Sequence, residues 1–322
     1  MNRRTMIAAG VAAATAALPR AAGAQAFPTR PVRLIVTWPP GGTTDILARQ
    51  LQPPLAAALG QPVVIDNRGG ASGAIGTGEL VRAPNDGYTF GMVTSTVISM
   101  PLMQRQSWHP IRDTTPIIMH SRVANILAVH PSVPVQSVAE LIALAKQRPG
   151  ALAFGSPGIG SAVHISGEMF KLMTGTDMVH VPYRGGGPAL TDLAGGAIQL
   201  MFGNASSTLP FVRDGRVRAI AVTSAQRAAY LPDVPTIAES GLPGYAIDEW
   251  YGCLGPANMA PAAVARLNAA IGEIISTPAE RARLLDMGAE VVGGSAEAFG
   301  RVMAEDMEKI GRVVRDAHIR LE

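Results

Sequence analysis

"VRLIVTWPPGGTTDILARQL" (residues 32–51) decides the class of fold. A β-branched apolar run ends near Trp38, and a helical pattern starts near Asp45, with Ile46, Leu47, Leu51, Leu55 and Leu59 on one face. Between them stand two prolines, two glycines and two threonines, more residues with special backbone demands than a plain turn needs. The loop joins the carboxyl end of a buried strand to the amino end of a helix, where open α/β sheets bind ligands. First-turn N–H groups have no partner inside a helix, and the helix dipole favours negative charge there. Pro40 stiffens the loop, Gly41 and Gly42 expose N–H groups, and Thr43 adds a hydroxyl donor. This chemistry selects a small anion without choosing carboxylate over phosphate.

The unit recurs. "QPVVIDN" (61–67) leads into the glycine-rich "RGGASGAIGTGEL", and "YTFGMVTS" (88–95) into "TVISMPLM". "ALAFG" runs through "SPGIGSAVH" into "ISGEMFKLMTG", "MVHVP" through "YRGGGPA" into "LTDLAGG", and "IQLMF" through "GNASST" into "LPFVRDG". "VRAIAVTS" (217–224) is a further strand. The alternation predicts an α/β fold with a largely parallel sheet. Pro53-Pro54 should kink the first helix or divide it in two. Two short apolar runs around Asn125 (117–131) mark a crossover into a second domain, and "YAIDEWYGCLGP" (245–256) marks the return, with Trp250 at the hinge or on a contact surface. Ser137 and Glu140 fit a capping box, and Pro149-Gly150 ends that helix. Helices are expected from Pro261, after "STPAE", and from about Ala296 to Ala317, the last packing on the first domain.

Residues 1–26 read as a secretory signal: a basic start, an apolar stretch from Met6 to Leu18, and Ala24-Gln25-Ala26 as a small-residue exit. The stretch is shorter than the roughly 20 residues of a membrane span. Arg3-Arg4 is compatible with twin-arginine export or with an ordinary signal. The signal carries Arg3, Arg4 and Arg20 and no acid, so the net charge of +3 belongs to it, and nothing basic remains to favour nucleic acid. The single cysteine, Cys253, excludes an internal disulfide and reads as a buried small hydrophobe. His164 and Glu168 lie one helical turn apart, too few ligands for a metal. "FGSPG" is not a nucleophile elbow, and "GGASGAIGTG" lacks the ending of a P-loop.

The blocks "RPVRLIVTWPPGGTTDILAR", "GQPVVIDNRGGASGAIGTGELVRAPNDGYTF", "FGSPGIGSAVHISGEMF", "VHVPYRGGGPALTDLAGGAIQLMF", "GRVRAIAVTSAQR" and "LPDVPTIAESGLPGY", in this order, resemble the Bug family, the extracytoplasmic receptors of tripartite tricarboxylate transporters. The resemblance implies a two-domain periplasmic binding protein of the type-II kind, with two interdomain crossovers and a ligand cleft between the domains. It sets one domain at 27–124 plus 249–322 and the other at 125–248. It implies a monomeric, non-enzymatic receptor, without cofactor or metal, that delivers a small carboxylate to a permease of one large and one small subunit.

By position, the ligand-binding residues would be Trp38, Pro40, Gly41, Gly42, Thr43, Thr94, Ser95, Thr96, Ser156, Gly158, Gly160, Ser161, Tyr183, Arg184, Gly185 and Asn204. Asp45 would hold the first loop, His164 would face the cleft edge or pack beneath it, and Arg184 would pair with the solute or with Asp192. Family members often carry Asp-Asn where Gly203-Asn204 stand. The missing carboxylate would point away from an amino-acid ligand. An orphan sensor handing its acid to a signalling partner is the alternative. A secreted hydrolase is a further one, and it would need a histidine within reach of Ser156 or Ser161.

Overall fold

The computed structural model describes residues 27–316; the expected signal segment and Ala317, the expected end of the last helix, lie outside them. The chain runs β1 (Val32–Val36), α1 (Thr43–Leu59), β2 (Val63–Asn67), α2 (Ala74–Leu80), β3 (Thr89–Thr94) and α3 (Thr96–Met103). β4 (Thr114–Val129), α4 (Val138–Gln147), β5 (Ala153–Ser156), α5 (Ala162–Thr174), β6 (Val179–Pro182) and α6 (Gly186–Ala194) follow. Then come β7 (Leu200–Asn204), α7 (Ala205–Arg213), β8 (Arg218–Val222), β9 (Asp248–Pro256), α8 (Pro261–Ser276), α9 (Pro278–Asp286), β10 (Glu290–Gly293) and α10 (Ala296–Asp316).

Two sheets form the centres of two lobes. In the first, β2, β1 and β3 are parallel, while β9 and the first part of β4 are antiparallel additions. In the second, β6, β5 and β7 are parallel, and the last residues of β4 run antiparallel between β7 and β8. The expectation of a largely parallel sheet therefore holds for the strand–loop–helix units and fails for the crossing strands. The two apolar runs expected around Asn125 are one 16-residue strand, β4. It pairs with β9 up to Ala124 and with β7 from Asn125. Thr223 ties this crossing to the return one: its hydroxyl accepts from Asn125 N (2.9 Å) and donates to Ile247 O (2.7 Å).

α1 continues unbroken through Pro53 and Pro54, contrary to the expected kink or division. The prolines remove the donors that would meet the carbonyls of Arg49 and Gln50. Those two residues are not buried, so the freed carbonyls belong to a side of the helix that faces solvent. α1 presents Leu47, Leu51, Leu55 and Leu59 to the core. At α4 the Ser137 hydroxyl accepts from Glu140 N as expected, but the Glu140 carboxylate reaches Gln136 N, one residue before the cap. β10 was not expected; it pairs with β4. α10 packs on the first lobe as expected, with Phe299 edge-on to Trp250 and Asp306 accepting the Trp250 indole N–H at 2.6 Å. Trp250 is thus buried beneath α10 and offers no surface. Cys253 is buried in β9, and desolvation pushes its thiol up to about 12. No described helix is long and apolar enough to cross a membrane, and the described residues hold no metal-type cluster.

Candidate functional site

The cleft between the lobes has an inner chamber of about 20 Å³ that opens into an outer groove of about 720 Å³. Trp38, Pro39, Pro157 and Gly185 line both and form the neck. Four helices begin at the chamber. α1 brings Gly42, Thr43 and Thr44, α5 brings Ser161, α6 brings Gly185 and Gly186, and α7 brings Asn204 and Ser207. The starts of α1, α6 and α7 have no side-chain cap, so their first-turn N–H groups are available. α5 is capped internally, because the Ser161 hydroxyl accepts from His164 N. Helix starts from both lobes therefore bring partial positive charge to one small volume.

Asp45 explains how the first loop is held. Its carboxylate accepts from Gly41 N (3.1 Å), Arg49 Nε (2.9 Å) and Asn67 Nδ2 (3.0 Å). Desolvation raises its pKa, but these donors outweigh it and the net shift is downward. Gly41 is consumed in this contact and lines neither chamber nor groove.

The remaining candidates separate by position. Trp38, Gly42, Thr43, Thr94, Ser161, Gly185 and Asn204 line the chamber. Pro40, Gly158, Tyr183 and Arg184 line the groove. Arg184 is exposed, and Asp192 is taken by the Tyr183 hydroxyl at 2.7 Å. Desolvation and this carboxylate push the Tyr183 phenol up to about 12. Ser95, Thr96, Ser156 and Gly160 line neither. Thr96 supports Thr94 through a 2.7 Å contact between hydroxyls, and Ser95 faces a separate cavity beside α10. Gly160 N donates to His164 Nδ1 (3.2 Å), so His164 packs beneath the second-lobe loop, stacked on His180 with 4.2 Å between ring centroids.

Ser156 Oγ lies 2.7 Å from His180 Nε2, the contact that a hydrolase would require. Ser156 is fully buried, however, and desolvation depresses the His180 pKa to about 3. A serine that substrate cannot touch, beside so weak a base, is a poor nucleophile.

Glu249 and Tyr251 of β9, and Ser207 of α7, line the chamber although no sequence signal singled them out. The lone available signal was a carboxylate inside the apolar strand "DEWYGCLGP". Glu249 is 3% exposed and accepts from Asn204 Nδ2 (2.6 Å) and the Tyr251 hydroxyl (2.9 Å). Burial pushes its carboxyl above the usual range, against the lowering by Tyr251, Thr94 and Asn204. Position 203 carries no carboxylate, as the sequence shows, and Glu249 brings one to the chamber from β9. Gly203 is glycine for a packing reason: a Cβ there would meet Thr208 Oγ1 at 2.4 Å.

The lobes touch across the cleft. Ser72 Oγ donates to Ile159 O (2.5 Å), Ser99 Oγ to Gly160 O (2.9 Å) and Thr43 Oγ1 to Ser207 Oγ (3.4 Å). A Cβ on Gly158 would meet Ser72 Oγ at 2.7 Å, so any larger residue would displace the Ser72 hydroxyl from this contact between the lobes.

The sequence pattern of the family described as "Tripartite tricarboxylate transporter family receptor" matches residues 47–319. BugT of Bordetella pertussis is 34% identical over 326 residues, all of both chains. Rpa4515 of R. palustris, solved with adipate, superposes with a TM-score of 0.89 at 39% identity, over 91% of this chain and 99% of that one. MatC of Rhodopseudomonas palustris, solved with bound malate, gives 0.85 at 28% identity, over 89% of this chain and 100% of that one.

Proposed function

The chain belongs to the tripartite tricarboxylate transporter receptor family, and from that premise we propose that it captures a small carboxylate in the periplasm by hinge closure and delivers it unchanged to a membrane permease of one large and one small subunit. One observation carries the reading: three uncapped helix starts, from two lobes, meet at one chamber. Each hydrogen bond to an ionised group contributes roughly 1.5–3 kcal/mol. Four or five, less ordering costs, reach a micromolar affinity of about −8 kcal/mol. The ligand-bound relatives support a carboxylate over a phosphate, since one was solved with adipate and another with malate. The lobes in this reading are 27–124 with 249–322, and 125–248, hinged where β4 changes partners and where the chain returns into β9. The head of the acid sits against Gly42, Thr43, Thr94, Ser161, Gly185 and Asn204, and its tail passes Trp38 toward Tyr183 and Arg184.

Titration calorimetry with mono-, di- and tricarboxylates, phosphate and sulfate tests the proposal. Heat from at least one carboxylate and none from phosphate is expected. Phosphate binding with every carboxylate silent would overturn it. Labelling of Ser156 by a serine-reactive probe, with ester turnover, would favour the hydrolase instead.

A further inference from the structure

We propose that Glu249 couples capture of the solute to uptake of one proton, so that the solute's carboxylate is met in the inner chamber by the neutral acid form of Glu249. The inference rests on the receptor reading and names the chemistry of its chamber. Glu249 lines that chamber beside the uncapped starts of α1, α6 and α7. Its Oε2 already receives two donors, Asn204 Nδ2 and the Tyr251 hydroxyl. That leaves Oε1 to carry the proton of the acid form and to donate it as a hydrogen bond. The Thr94 hydroxyl reaches the same carboxyl group.

Among the described residues that line the chamber, no cation stands between Glu249 and an incoming carboxylate. β3 contributes Thr94 to the chamber, α1 Thr43 and Thr44, α5 Ser161, α7 Ser207 with its cap Asn204, and β9 Tyr251; of these only Tyr251 titrates. The neighbouring charges are engaged elsewhere. Arg49 of α1 pairs with Asp45. Arg122 of β4, Glu290 of β10 and Lys309 of α10 gather around Asp248. His120 of β4 bonds to Ser121. Two carboxylates in one desolvated chamber repel, so one proton from solvent is held between them. Asn204 Nδ2 also donates to Asn125 Oδ1 (2.8 Å), which sits where β4 changes lobes. The protonation state of Glu249 is therefore linked by two hydrogen bonds to the crossover.

Calorimetry with adipate and with malate, in buffers of different ionisation enthalpy at steps from pH 6 to pH 9, reads the proton directly. The expected result for the unaltered protein is uptake that rises toward one proton per ligand as pH climbs past the Glu249 pKa of the free protein, and affinity that falls about tenfold per pH unit above it. Glu249→Gln keeps the shape of the side chain and cannot take the proton; its binding enthalpy should be independent of buffer and its affinity flat with pH. Binding to the unaltered protein without proton uptake would overturn this inference alone. So would a folded Glu249→Gln variant that loses an α-amino acid bound by the unaltered protein, since Glu249 would then act as a carboxylate toward an ammonium group. Silence from every acid would overturn the receptor reading and this inference together.

Discussion

Trp38 carries a donor with nothing to receive it. The residue is 7% exposed at the neck between chamber and groove, and its indole N–H is buried without a partner. A buried orphan donor costs free energy unless a ligand or water meets it. Trp38→Phe is therefore expected to leave the melting temperature nearly unchanged. It should weaken whichever carboxylate the calorimetric screen finds by about 1–1.5 kcal/mol, about tenfold. The buried histidines give the protein a direction of acid sensitivity. Desolvation depresses the pKa of His120 to about 4 and that of His180 to about 3. Both lie below the value of about 6.5 in an unfolded chain, so the unfolded state binds more protons in that window. The stability they contribute is fully present above pH 6.5 and is lost as pH falls toward 4 and then 3. A melting series from pH 7 to pH 4 should show this decline, and it should be shallower for a folded His120→Gln variant.

At the scale of elements, local signals and tertiary contacts divide the work. Ser137 caps α4 through Glu140 N at 3.2 Å, so Ser137→Ala should cost about 1 kcal/mol in denaturant unfolding, with no change in ligand affinity. The sequence located this cap because a capping box is written within four consecutive residues. It also marked the glycine loops that border the cleft, because glycine, proline and hydroxyl residues signal unusual backbone wherever they cluster. It misjudged α1 because proline's penalty depends on whether the bereaved carbonyls can reach water, which is a matter of exposure and not of sequence. It did not mark β10, whose four residues gain their pairing from β4 (Met119 to Arg122), far away in the chain.

At the scale of the molecule, the contacts of Ser72 with Ile159 and of Ser99 with Gly160 hold the lobes together across the cleft. A small-angle scattering experiment should find the radius of gyration reduced by saturation with a carboxylate that calorimetry shows to bind. Gly158→Ala should blunt that reduction and weaken binding about tenfold or more. Its φ of +150° is strained for any residue with a Cβ, at about 1–3 kcal/mol, and a methyl group there would displace the Ser72 hydroxyl from Ile159 O. The sequence by itself carried the repeating strand–loop–helix unit, the apolar runs that form β4 and β9, and the glycine-rich loops at the strand ends, because each is a local pattern of backbone demand and apolar period. Only the tertiary structure decided which loops converge, that Gly41 and Gly160 serve neighbouring side chains instead of the cavity, and that Glu249 stands in the chamber beside Asn204 and Tyr251. The environment of a buried carboxyl is set by groups that the chain brings in from elsewhere, and no spacing along the sequence records them.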